Sequence, residues 1–186
     1  MKLATLQAQL PDFEIRLLTL ADQEALLELE QSNPRYHQYF SPEPLTMTEV
    51  QHDLTAHPDE LAAAQKQVFG FYLAHRLVAV LDVLNQYPQE QFLFVGLLMV
   101  NKAYQRKSVG RVIVTGLMQA ALQANITAIQ LTRVTADEGV ARFWQKLGFE
   151  DGNQLFLPLK AGGRLAVTTM TRILQSNSHG TLSTKA

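Results

Sequence analysis

No cysteine occurs anywhere in the chain. That excludes disulfides, thiolate catalysis and zinc–cysteine sites, and it leaves the compartment open. Long apolar runs are also missing: none approaches the ~20 residues a membrane-spanning helix needs. The opening MKLATLQAQLPDFEIR lacks an apolar signal core. A soluble cytoplasmic protein with no membrane partner is the expectation. Excess charge is absent too. Lys and Arg number 16 against 17 Asp and Glu, a formal net charge of −1, which argues against a nucleic-acid surface. His52, His57, His75 and His179 show no metal-ligand spacing, so no metal is expected. Neither a Walker-type phosphate loop nor a glycine-rich dinucleotide fingerprint is present.

What remains is a chain of 186 residues with apolar content enough for one core. Phe13 to Leu18 reads as a first strand. Thr19 to Glu30 follows as a helix, with apolar Leu20, Leu26, Leu27 and Leu29 and with Asp22 and Glu24 in its first turn. SNPRYHQYFSPEP, rich in proline and aromatics, reads as a loop. Thr46 to Ala56 reads as a second helix, started by a threonine cap with Glu49 three residues on. QVFGFYLA and LVAVLDVLN form a hairpin without the favoured Asn-Gly turn.

Phe92 to Val100 is unbroken apolar sequence, as a strand covered on both faces requires. Gly96 interrupts it, which marks a bulge or a close backbone approach. Arg111 to Asn125 reads as a helix with apolar Val112, Ile113, Leu117, Ala120, Ala121 and Ala124. Ala128 to Thr135 is another strand, and Gly139 to Leu147 another helix stopped by Gly148. Leu155 to Leu159 and Leu165 to Leu174 pair around Ala161-Gly162-Gly163. Residues 1–12 read as an N-terminal extension and residues 175–186 as a disordered tail.

The segment YQRKSVGR, Tyr104 to Arg111, joins the buried strand to a helix start. The first N–H groups of a helix lack internal partners, and its dipole favours negative charge there. Arg106, Lys107 and Arg111 add positive charge around them. A phosphate or pyrophosphate site is one reading; an ordinary basic loop capped by Ser108 is the other.

This order of elements, with the turn and with ADEGVARFWQKLGFE further on, resembles the GNAT N-acetyltransferase superfamily over residues 13–174. The resemblance implies one α/β domain: a central mixed, mostly antiparallel sheet of six to seven strands flanked by about four helices. The family's cofactor signature is Gln or Arg, two residues, Gly, one residue, then Gly or Ala. Gln105 fills its first position and Gly110 its last, while Ser108 stands where the first glycine is expected. In the second signature Phe143, Trp144, Leu147, Gly148 and Phe149 are in register. Asp137 departs from the usual asparagine, and Trp144 from a tyrosine that can protonate the departing thiolate; an indole N–H donates but is no usable acid.

By resemblance the chain binds acetyl-CoA as co-substrate and transfers its acetyl group to a primary amine of a small molecule or peptide, by direct attack in a ternary complex. The cradle for the pyrophosphate would be the amides from Gln105 through Arg106, Lys107, Ser108 and Val109 to Gly110, with Arg111, Asp137 and Phe143 nearby. Leu98, Met99 and Val100 would receive pantetheine, with Met99 N–H facing the thioester oxygen. Asp82 shares a strand face with Val78, Val80 and Leu84, so desolvation would raise it into a general base's range; a carboxylate reaching water at the strand end is the alternative. Glu90 reads as a base acting through water or as a loop charge, and His37 as an acceptor-wall residue or a surface histidine. Trp144 and Phe143 read as core, with Trp144 also walling the thioester site. A homodimer is common in the resembled family. Two other readings stand beside this one: a GNAT-like domain that binds CoA or acyl-CoA without turnover, as a sensor or interaction module, and an unrelated αβ domain binding another phosphate ligand.

Overall fold

The computed structural model describes residues 1–174; the tail expected to be disordered, residues 175–186, lies outside them. Seven strands form one sheet: β1 (Glu14–Leu17), β2 (Lys66–Leu73), β3 (Arg76–Asn85), β4 (Phe92–Val100), β5 (Ala128–Val134), β6 (Glu150–Pro158) and β7 (Arg164–Ile173). Their order is β1-β2-β3-β4-β5-β7-β6. Every neighbouring pair is antiparallel except β4 with β5. A parallel pair needs a crossover, and α5 (Val109–Gln123) supplies it. The single α/β domain with a mostly antiparallel mixed sheet is as expected.

Five further helices flank the sheet: α1 (Leu3–Gln9), α2 (Gln23–Gln31), α3 (Pro34–His37), α4 (Met47–Thr55) and α6 (Glu138–Gln145). Residues 1–12 thus carry a helix of their own, and Leu6 and Leu10 are buried in the main core with Phe71, Leu81, Ile113 and Leu117. On the other face α2 and α4 set Leu26, Leu29, Val50 and Leu54 against Val68, Val80 and Met99. Past the exposed Gly96, Leu97 and Met99 face this cluster while Leu98 and Val100 pack on the main core, so that half of β4 is covered on both faces and its sequence does not alternate.

Local chemistry explains most boundaries. The Thr46 hydroxyl accepts the Glu49 N–H while the Glu49 carboxylate accepts the Thr46 N–H at 2.8 Å, closing the expected capping box. Ala74 and His75 turn the β2–β3 hairpin with φ of 47° and 63°, the left-handed pair that a tight hairpin demands even without glycine. Two expectations need correction. The proline-rich loop contains α3, because Pro34 at a first helical position costs no hydrogen bond. The α5 helix starts at Val109 rather than Arg111, and Val112 on its presumed buried face is 40% exposed, its place taken by Val114 and Gly116.

Candidate active site

The sheet opens in the middle. β4 pairs with β5 only from Phe92↔Ala128 to Val95↔Leu131, and from Gly96 onward it keeps β3 alone. On that side the register jumps from Asp82↔Leu97 to Val83↔Val95, so Gly96 is the extra residue of a bulge. The opening is a cleft of about 270 Å³ with Gly96, Leu97, Leu98, Asp137 and Trp144 among its walls.

The hydrogen-bond phase of β4 decides which amides face this cleft. Asn101 N–H donates to Val78 C=O at 2.9 Å. Antiparallel ladders alternate, so the pair two residues back, Met99 with Val80, also bonds across β3. The Met99 N–H expected to face a thioester oxygen is thereby turned toward β3, and the amides of Leu98 and Val100 face the opening instead. Consistent with this, Val100 C=O accepts from the side chains of Asn33 and Gln105, each at 3.1 Å.

After β4 the chain makes a short 3₁₀ turn, Lys102–Tyr104, capped by the Asn101 carboxamide. Gln105 Nε2 also donates to Asn33 Oδ1 at 2.6 Å, which ties the turn to the end of α2. Arg106 and Ser108 are left-handed, with φ of 60° and 65°. Ser108 is the N-cap of α5, yet its hydroxyl makes no capping bond. The amides of Val109, Gly110 and Arg111 are thus left pointing out of the helix start. Lys107 lies over the Tyr104 ring at 5.5 Å. A Cβ on Gly110 would meet Phe143 at 3.4 Å, so α5 and α6 touch where the turn ends.

Asp137 caps α6: Oδ1 accepts the Val140 N–H at 3.0 Å, and Oδ2 accepts the Tyr39 hydroxyl at 3.1 Å. Both oxygens hold protein structure, and the aromatic loop is pinned to the cleft by one of them. Trp144 is 6% exposed and sits edge-on between Phe143 and Phe149, at 5.1 and 4.9 Å.

Asp82 lies on the α2–α4 face with Val80, but Val78, expected beside them, packs into the opposite core because the β2–β3 register shifts between Ala79 and Leu77. Asp82 accepts from Lys66 at 2.7 Å, with the two side chains 14% and 7% exposed, and Oδ1 has no partner among the described residues. Burial raises its carboxyl above the usual range and the Lys66 ammonium opposes that rise. Glu90 is exposed in the β3–β4 loop. Among the described residues no group of three or more His, Asp or Glu is arranged to hold a metal, and no helix is long and apolar enough to cross a membrane.

The profile of the Acetyltransferase (GNAT) family matches residues 24–149, more than half of the sequence. The chain belongs to the GNAT acetyltransferase family. Solved GNAT-like structures share its fold. An acetyltransferase from Thermus thermophilus superposes with a TM-score of 0.68 at 20% identity, covering 87% of this chain and 97% of that one. A probable acetyltransferase from Staphylococcus epidermidis gives 0.67 at 17%, covering 88% and 99%. The ribosomal-protein-S18-alanine N-acetyltransferase of Escherichia coli gives 0.63 at 14%, covering 90% and 97%. No curated protein matches the sequence.

Within this GNAT domain the sequence reading missed one group. Glu30 is fully buried at the end of α2, and His37, read as an acceptor-wall residue or a surface histidine, is its neighbour at 3.5 Å. Burial lowers the His37 imidazole's affinity for a proton and pushes the Glu30 carboxyl up to about 8. The signal was available: Glu30 follows Leu26 by four residues and so shares its buried stripe.

Proposed function

We propose that this GNAT protein is an acetyl-CoA-dependent N-acetyltransferase acting on a primary amine of a small molecule or peptide, by direct attack in a ternary complex. The observation that carries the reading is the parting of β4 from β5 at Val95, immediately before a left-handed turn and the free amides of α5. A cleft edged by unsatisfied strand amides, on a strand that leads through a turn to a helix N-terminus, suits a thioester on a pyrophosphate-bearing arm.

Acetyl-CoA, when bound, supplies an activated carbonyl and a thiolate leaving group. The amides from Arg106 to Gly110 hold the pyrophosphate, that of Gln105 being spent on Lys102 C=O, with Arg106, Lys107 and Arg111 adding charge and the free Ser108 hydroxyl donating. Val100 and Leu98 hydrogen-bond the arm, and Leu98 N–H faces the oxyanion; one such donor is worth roughly 3 kcal/mol. Asp82, kept within reach of ionisation by Lys66, takes the proton as the amine nitrogen bonds to the acetyl carbon and the C–S bond breaks. Trp144 and Phe143 wall the site. No acid need replace the missing tyrosine, because a thiol with pKa near about 8.5 leaves readily as thiolate.

Thermal-shift titration with acetyl-CoA, followed by thiol-release assays over an amine panel, tests this reading, and the cysteine-free chain adds no thiol background. Stabilisation together with thiol release supports it. Absence of stabilisation at millimolar acetyl-CoA overturns it.

A further inference from the structure

Beneath Asp82, between α2, α4 and the sheet, lies a separate cavity of about 190 Å³. That is room for about six waters at roughly 30 Å³ each. Its walls carry three carboxyl groups, Glu30, Asp53 and Asp82, and one ammonium, Lys66, already committed to Asp82. Glu30 is 0% exposed and neither of its oxygens makes a hydrogen bond among the described residues; His37 Nε2, 3.5 Å from Oε2, makes none either and pairs with it by charge only when protonated. A buried carboxyl without hydrogen bonds opposes folding in either protonation state. A leucine, as at Leu26 one turn earlier, would serve the core better. The arrangement has the form of a site waiting for donors.

The cavity shares walls with two others. Tyr36, Gly96 and Leu97 also line the β4–β5 cleft. Tyr36, His52 and Asp53 also line an outer cavity of about 530 Å³ between the aromatic loop, α4 and the β6–β7 hairpin. The carboxyl cluster therefore adjoins both the outer cavity and the edge of β4. We propose that the acceptor carries a second cationic group, as in an alkyl diamine: one amine reacts beside Asp82 and Gly96 while the other, an ammonium, is held by Glu30 and Asp53.

This rests on the acetyltransferase reading above and names its substrate class. An ammonium brings three donors and no acceptor, which matches the unpartnered oxygens. The carboxyls line the cavity together with apolar Leu26, Val68, Val80 and Leu97 and do not converge on a metal-binding arrangement among the described residues, so a cation with an aliphatic body fits better than a bare ion. The groups facing Glu30 and its cavity are Tyr36 and His37 from α3, Glu49, Asp53 and His52 from α4, the last 3.8 Å from Asp53, and across the cavity Lys66 and Asp82. Docking an ammonium would ionise Glu30, which burial otherwise keeps protonated at neutral pH, so binding would release a proton.

Calorimetric titration at pH 7 with diaminobutane and with butylamine, in buffers of different ionisation enthalpy, reads both effects. Wild-type protein is expected to bind the diamine about tenfold more tightly and to release close to one proton. Glu30→Gln should bring the two amines to equal affinity and abolish the release, and Asp53→Asn, at a partly exposed position, should narrow the gap. Glu28→Gln, an exposed carboxylate of the same helix, should leave the preference intact. Equal affinities in the wild type, or a preference that survives Glu30→Gln, would overturn the proposal; should Glu30→Gln not fold, an undiminished preference in Asp53→Asn does the same. An acetyl-CoA thermal shift recorded alongside separates the two claims. A shift without diamine preference sinks the subsite alone, whereas no shift sinks the acetyltransferase reading.

Discussion

Asp82 occupies the space where a side chain at position 96 would begin: a Cβ built on Gly96 falls 2.6 Å from Asp82 Oδ2. The glycine that bulges β4 also lets the carboxylate lie flat against it, at the mouth of the opened sheet.

Gly96→Ala should therefore displace Asp82 from its contact with Lys66. The expected cost is about 1–3 kcal/mol in stability, typical of overpacking. Turnover should fall at least about tenfold with little change in acetyl-CoA affinity, because the turn at Ser108 is untouched. Steady-state kinetics beside a denaturant melt would check this. Unchanged turnover would detach Asp82 from the chemistry.

Lys66→Met removes the cation that contacts Asp82. Burial then acts on that carboxyl unopposed, so its proton is lost at higher pH than in the wild type. The acidic limb of the kcat/KM profile should move upward. An unmoved limb would show that another group, or water, takes the proton.

Ser108→Gly relieves a left-handed residue, since glycine adopts φ near 65° without a Cβ penalty. The gain of about 1 kcal/mol from relieved strain is partly offset by glycine's greater freedom in the unfolded chain. The net rise in Tm should be small, and acetyl-CoA should bind as well or better. Weaker binding would mean that the Ser108 hydroxyl contributes a direct bond to the phosphates that outweighs backbone strain.

Glu30 should make stability depend on pH. Its carboxyl titrates near 4.5 when unfolded and at about 8 when folded. Between those values the folded state holds a proton that the unfolded state has lost, so stability falls as pH rises through the window and levels off above it. The drop attributable to this group is a few kcal/mol, at about 1.4 kcal/mol per pH unit. Chemical denaturation at several pH values should show a shallower slope in Glu30→Gln, and identical slopes would contradict the burial of an unpartnered acid.

The strand and helix order was legible because each element announces itself locally. Thr46 with Glu49, the uninterrupted β4 run, and Gly148 at φ +78° each encode their own piece. Gly96 was readable as a bulge for the same reason. The direction of the β4 amides was not, since it depends on hydrogen-bond phase with a distant strand, and a choice between Leu98 and Met99 changes nothing in composition. Asp137 matched a family position, yet its two bonds, to Val140 and Tyr39, arise from its own helix and from a loop about a hundred residues away in sequence. Glu30 and His37 looked like ordinary polar residues because α4, itself legible, is laid over them only by the tertiary fold.

On the opposite side of the sheet, Leu10 enters a notch in α5 that only Gly116 leaves open, since a Cβ there would fall 2.6 Å from its side chain. The helix whose first turn carries the free amides is thus wedged from behind by the chain's opening segment. Removing that segment, or filling the notch with Gly116→Ala, should loosen the proposed phosphate cradle, from which neither residue is visible.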